Sequence, residues 1–496
     1  MMKRFLLVVM VLAAVGPLAS AQSYEEFKQQ ALKEYAQTDS AWRKEYRDFR
    51  DRANAEYAEN MARAWEEMLG KAPLPAPAPE PVVPPVVLPV LDIPEVIEDN
   101  YLPIEDIVLP PTPLPAPAPI SPIVKPKGPA GPQRSFSAFG STFSVSLDVA
   151  KLPRLTAVGE SAVAKMWKAL SAQEYDAMLA DLLALRADMD LCDWAYYELV
   201  KALADDVYAS NADAATVFCA FTLCQSGFKL RLGRAPQDSS LHLIVATDNM
   251  IYKHPYWELD GVTFYLLDDS RMSMLKIYRD AFPGEKVMRL AFTEKNRLPV
   301  KLTEMRVREA DKYPAAHTTT QVNQNLLDFY ERYPESFING ETKTRWRFYA
   351  VDLSDEAKSA LYPVLRGAIA GKTQLEAANI LLNYVQTGYE YEYDEDVWGY
   401  DRAFFPDETL HYPFCDCEDR SIFFSRLVRD LLGLKVTLVY YPGHLATAVR
   451  FTEDVSGDYV LVGKEKYIVC DPTFINAPVG MTAPDEDNST AFLMPL

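Results

Sequence analysis

The sequence predicts an α+β protein, and three observations predict it. Stretches with apolar residues at three- and four-residue steps alternate with short runs rich in β-branched and aromatic residues. A proline-rich tract over 71–133 separates a long charged segment without glycine or proline from a remainder that mixes helical and strand-like stretches. Near the C-terminus, Cys417 opens a helical stretch, His444 begins a strand-like run over 444–451, and Asp471 ends another over 467–471.

The elements follow in order. Met1-Met2-Lys3-Arg4 is a short basic region, an apolar run over 5–15 comes next, and Ala19-Ser20-Ala21 supplies the small residues of a cleavage site. Residues 1–21 therefore read as a signal peptide, and the mature chain is expected to be exported, periplasmic or secreted. Gln22 stands where a lipoprotein needs cysteine, and no later run is long and apolar enough for a transmembrane helix.

Residues 22–70 read as an amphipathic helical arm. Between 23 and 69 there is neither glycine nor proline, and Phe27, Ala31, Tyr35, Trp42, Tyr46, Phe49, Ala53, Tyr57, Met61, Trp65 and Met68 mark one stripe. Aromatic rings fit a regular heptad core poorly. The stripe is thus expected to dock, on the protein's own body or on an envelope partner, rather than to form a dimeric coil. Residues 71–133 read as a Pro-rich linker favouring extended polyproline II, a semi-rigid spacer, with 96–108 acidic and apolar enough to dock locally.

Residues 134–345 read as an α+β domain. Ser171 and Glu174 have the spacing of a capping box; helices are expected over 192–208 and, after Asn211, over 212–224; strands over 229–233, 242–247 and 262–268. This order echoes the C-terminal region, where the spacing from His444 to Asp471 is matched within one residue by that from His242 to Asp268. Counting back from Gly227 as Cys417 stands to Gly433 lands on Asn211. Two readings stand: a degenerate copy without a nucleophile, or chance likeness of two ordinary α/β segments.

Residues 346–496 form the second domain. Thr344 to Asp352 alternates like a strand, Thr373 and Glu376 make a second capping box, Gly388 ends its helix, and 394–414 is a long loop rich in aromatics and acids. Because that loop leads into Cys417, Trp398 or Tyr412 is expected to line an acyl site; a packed cover over a hydrophobic core is the other reading.

Composition narrows the function classes. The chain has 496 residues and a net charge of −20, which repels nucleic-acid phosphates and argues against such a partner. Six cysteines are few for a disulfide scaffold of this length.

The chemistry lies in Cys417, His444 and Asp471, spaced 27 residues apart in both steps. A thiol attacks as thiolate, a helix N-terminus and a nearby imidazolium favour that form, and a carboxylate holds the imidazole in one tautomer. The backbone N–H of Cys417 could also donate to an oxyanion. Other readings of Cys417 are a buried structural thiol, a disulfide half, or a Cys₃His zinc set with Cys415, Cys470 and His444. Alternation along a strand argues against the last, since Cys470 points away if Asp471 faces the site.

With Asp416-Cys417-Glu418-Asp419, the helix ending at Gly433-Leu434, Gly443-His444 with its strand, Asp471-Pro472-Thr473 and the upstream Tyr389-to-Asp394 segment, the last quarter of the chain resembles the transglutaminase-like superfamily. The resemblance implies a papain-like C-terminal domain, with Cys417 as nucleophile, His444 as base and Asp471 as orienter. It implies action on amide carbonyls of a peptide or protein substrate, hydrolytic by preference, without an obligatory cofactor, although some relatives use calcium. The superfamily also has inactive members, so a peptide- or glycan-binding envelope module is the second expectation.

Overall fold

The structure, a computed structural model, describes residues 21–77, 85–89, 99–103, 106–109, 112, 114–123, 131–268, 272–292, 294–338, 341–484, 486 and 490–496, and for 21–40 and 106 only the backbone. Residues 1–20, the bulk of the segment read as a signal peptide, lie outside the described residues. Helices and sheets are both present, as expected of an α+β chain, and no described helix is long and apolar enough to cross a membrane.

The described residues begin in a 41-residue helix, α1 (Ala21–Met61). The arm does not stay helical to residue 70: after Met61 the chain extends into β1 (Glu66–Leu69), which joins a sheet. Among the residues whose side chains are described, the end of the stripe docks, and it docks on the protein's own body. Tyr57 packs its ring against Trp167 and Tyr278 at centroid separations of 5.0 and 4.8 Å, and Asn54 exchanges hydrogen bonds with Gln225.

The proline-rich tract is not a free spacer either. Proline removes a donor only at its own position, and residues between the prolines still pair. The N–H groups of Leu88, Leu102 and Val108 donate to the carbonyls of Ile475, Tyr459 and Leu493 at 2.9, 2.8 and 2.8 Å. The short strand β2 (Asp106–Ile107) thereby becomes an edge strand, a place where neighbouring prolines are tolerated. Leu102 is buried, which bears out local docking for the described part of 96–108.

Two six-stranded sheets organise the rest. Helix α2 (Ala212–Gln225), capped by the Asn211 side chain, precedes the first. Its strands are β3 (Leu230–Arg234), β4 (Leu241–Ala246), β5 (Tyr256–Leu259), β6 (Val262–Leu266) and β7 (Met274–Ile277), in the order β1-β7-β3-β4-β6-β5. Helices α3 (Gln374–Thr387) and α4 (Cys417–Leu431) precede the second. Its strands are β8 (Lys435–Tyr441), β9 (His444–Arg450), β10 (Tyr459–Val462), β11 (Glu465–Cys470) and β12 (Phe492–Pro495), in the order β2-β12-β8-β9-β11-β10. The two orders coincide strand for strand. The pairings agree too, except that β1 meets β7 antiparallel whereas β2 meets β12 parallel.

Local expectations fared unevenly. The Thr373 box is present: Glu376 N–H donates to Thr373 Oγ1 and Thr373 N–H to Glu376 Oε2. The Ser171 box is absent. Ser171 closes the helix Glu160–Ser171 and bonds back to Lys168 O, and the next helix starts at Asp176. The expected strand at 344–352 is a 3₁₀ helix, Thr342–Tyr349. There Lys343 N–H donates to the Glu341 side chain and Thr344 Oγ1 to the Glu341 carbonyl, local bonds that compete with a ladder. The loop 394–414 contains two short helices, Asp394–Val397 and Pro406–His411.

Candidate functional site

Asp416 has the extended backbone of an N-cap, so Cys417 is the first residue of α4. The helix start is tied down by Asp419, which accepts from the N–H of Asp416 at 3.3 Å and of Phe404 at 2.7 Å. Arg420 braces the approach, donating to the carbonyls of Gln386 and Tyr389 at 3.2 and 2.7 Å. β8 and β9 form a hairpin in which Tyr441 faces His444, and Gly443 turns the chain at φ 82°, a conformation that favours glycine. Asp471 directly follows β11, the neighbour of β9.

These elements bring the three predicted residues together. His444 Nε2 and Asp471 Oδ2 are 2.9 Å apart, both buried. The other oxygen, Oδ1, accepts from the N–H of Thr473 at 2.8 Å and of Phe474 at 3.2 Å. Gln386 holds that loop by donating to the carbonyls of Asp471, Phe474 and Ala477. His444 Nδ1 has no hydrogen-bond partner among the described residues. Cys417 and His444 line one cavity of about 250 Å³ together with Arg345, Trp346, Tyr440 and a wall of carboxylates.

Electrostatics pull in two directions. Burial disfavours the Asp471 carboxylate, but the charge and bond of His444 and the two N–H donors hold its pKa below the usual range. Burial pulls His444 down, but Asp471 more than offsets this and its pKa ends above the ordinary value. The Cys417 thiol is pushed well up, first by burial and then by the charges of Glu418 and Asp416. Its sulfur donates to Glu418 Oε2 at 3.2 Å.

Sequence reasoning missed the carboxylate cluster behind this effect. Oxygens of Asp394, Asp401 and Glu418 lie within 4.8 Å of one another, and so do the ligand atoms of Asp416, Cys417 and Glu418. Burial, then Glu418, push Asp394 up to about 8, and Asp416 Oδ1 is buried with no hydrogen-bond partner among the described residues. Arg345 donates to Asp401 at 2.7 Å and is the one Lys or Arg lining the described cavity. The acidic run 394–396 was a visible signal, but nothing in the spacing tied Asp401 or Arg345 to it.

The donor set fits a hard, oxygen-seeking cation such as calcium. It does not fit the Cys₃His zinc set. Cys470 bonds inward to Ile468 O, Cys415 accepts from Arg420, and neither cation-capable group includes them or His444. All six cysteines are free. Trp398 and Tyr412 are not among the cavity's lining residues. They pack edge to face at 5.0 Å beneath the Arg402 guanidinium, next to Phe404. No protein-family model matches the chain, and no curated protein matches it.

Proposed function

We propose that this chain is an exported, transglutaminase-like cysteine enzyme that cleaves amide bonds of peptides or proteins, by hydrolysis rather than amine transfer. One observation carries the reading: Cys417 starts a helix in the same cavity as His444, whose Nε2 is engaged by Asp471 while Nδ1 is left without a partner. That is the placement a thiol nucleophile, its base and the base's orienter need. Cys417 attacks the carbonyl carbon, and His444 takes the thiol proton and passes it to the leaving amine. The C–N bond breaks as a thioester forms. Water, deprotonated by His444, then releases the acid and returns the thiol. Asp471 keeps the imidazole oriented and stabilises its charged form.

Export is supported by the basic, apolar and small-residue sequence of 1–21. The shared strand order of the two sheets is what a duplicated unit lacking the nucleophile would keep. The carboxylates beside Cys417 favour calcium as a cofactor, with Asp394, Asp401 and Glu418 as its holders and Asp416 beside them. A bound cation there would supply positive charge against the acids that crowd the thiol. The same crowding is the observation that favours the second reading, an inactive peptide- or glycan-binding module.

Alkylation decides between them. With iodoacetamide at neutral pH and calcium present, Cys417 should label fast, and His444→Ala should slow it by about tenfold or more. Calorimetry of calcium against wild type and Glu418→Gln should show binding lost in the variant. A Cys417 that labels slowly with or without His444 and calcium leaves the binding-module reading.

A further inference from the structure

A buried serine ties the helix that carries Cys417 to the strand that carries His444. Ser421 stands four residues after Cys417, so both face the same way from consecutive turns of α4. Its Oγ donates to the carbonyl of Leu445 at 2.7 Å. Leu445 follows His444 on β9. One turn of the helix thus takes the carbonyl of the residue next to the imidazole. The ladder from β9 to β11 runs from Thr447 to Val449 and does not reach Leu445. On the β11 side of this end of the strand the helix contact stands where the ladder has stopped, while on the other side Leu445 still pairs with Tyr440 of β8.

We infer that Ser421 is the positioning residue of this site, its hydroxyl fixing the helix that carries Cys417 against the strand that carries His444. The inference rests on the thiol-enzyme reading above and adds to it the part that holds nucleophile and base in register. A hydroxyl-to-carbonyl bond between buried groups contributes modestly to stability, whereas a displacement of about 1 Å between reacting groups costs on the order of a hundredfold in rate. Loss of the hydroxyl should therefore appear in thiol chemistry far more than in folding.

A control lies one turn on. Ser425 is buried on the same helix, but its Oγ bonds only to Ile422 O within the helix, at 2.7 Å. Ser421→Ala and Ser425→Ala delete the same atom, and only the first breaks the helix-to-strand contact. The measurement is the iodoacetamide rate at Cys417 in wild type, each variant, Ser421→Thr, and each combined with His444→Ala, with thermal midpoints taken alongside.

Ser421→Ala should slow labelling by about tenfold to a hundredfold, while Ser425→Ala and the hydroxyl-retaining Ser421→Thr label near the wild-type rate. His444→Ala should then add little to Ser421→Ala, because the coupling is already lost. A folded Ser421→Ala with wild-type rate and full dependence on His444 overturns the inference. So does a folded Ser421→Thr that labels as slowly as Ser421→Ala. A wild-type Cys417 already slow and indifferent to His444 instead removes the enzyme reading, and the positioning role goes with it.

Discussion

The first and second sheets have the same strand order and each region holds a His–Asp pair, yet only in one does a thiol share a cavity with the histidine. In both, the histidine is at or next to the start of the second strand and the carboxylate lies just past the fourth, so the pair follows from the topology. The difference lies at the helix start and in burial. Asn211 is spent as a cap, accepting from Ala214 N–H and donating to Leu155 O, where α4 offers a thiol. The Asp268 side chain is 38% exposed against 2% for Asp471, and His242 also meets Ser240 through Nε2, at 2.8 Å. A shared scaffold can deliver an imidazole–carboxylate pair without delivering a nucleophile beside it.

The largest effect should come from removing each carboxylate. Asp471→Ala leaves a buried imidazole and two N–H groups unpaired, and should cost about 3–5 kcal/mol in urea unfolding. Asp268→Ala removes a partner that water replaces, and should cost below about 1 kcal/mol. Equal costs would mean that the exposure difference is not what separates the two pairs.

A pH series sharpens the contrast. Burial pushes Glu335 and Glu408 up to about 7 and Asp407 to about 6, while Asp248, in the first region, rises to about 6. The folded protein holds these protons up to about pH 6–7, whereas an unfolded chain releases them near about pH 4. Folding therefore takes up protons in that window, and stability falls as pH rises through it. The thermal midpoint should be higher at pH 5 than at pH 8, and hydrogen exchange in α4 should respond more than in α2. Asp471 acts oppositely, since its lowered pKa makes its contribution disappear in strong acid. A midpoint that climbs from pH 5 to 8 would contradict the assignment of buried protonated acids.

Much of this was legible in the sequence, for physical reasons that can be named. Cys417, His444 and Asp471 stood out because helix start, strand start and strand end are local signals. The β3, β4 and β6 strands were readable from apolar runs, and Asn211 as the start of its helix. What failed depended on partners distant in sequence. The proline tract looked like a spacer because its prolines were visible and its acceptors on Tyr459, Ile475 and Leu493 were not. Arg345 and Trp346 looked like alternating strand residues, but both are buried, each against different neighbours. Trp398 and Tyr412 were placed in the cleft by proximity in sequence to Cys417, whereas Arg402 gathers them elsewhere.

The outer stripe of the helical arm supplies the smallest effect, and it concerns the first region, since α1 packs there. One stripe runs the length of the helix, but its fate changes near Arg50, which is buried and paired with Asp176 at 2.6 Å. Beyond that point Ala53, Tyr57 and Met61 are buried; before it Trp42, Tyr46 and Phe49 are 47, 42 and 43% exposed. Exposed aromatic rings that touch little else contribute little to folding, so Trp42→Ala should change stability by less than about 0.5 kcal/mol. Tyr57→Ala, which empties a ring site between Trp167 and Tyr278, should cost about 3–5 kcal/mol. Thermal unfolding of the two variants makes the test. A Trp42→Ala change as large as that of Tyr57→Ala would mean that the outer stripe is also covered in solution, and the docking surface of the first region would have to extend past Arg50.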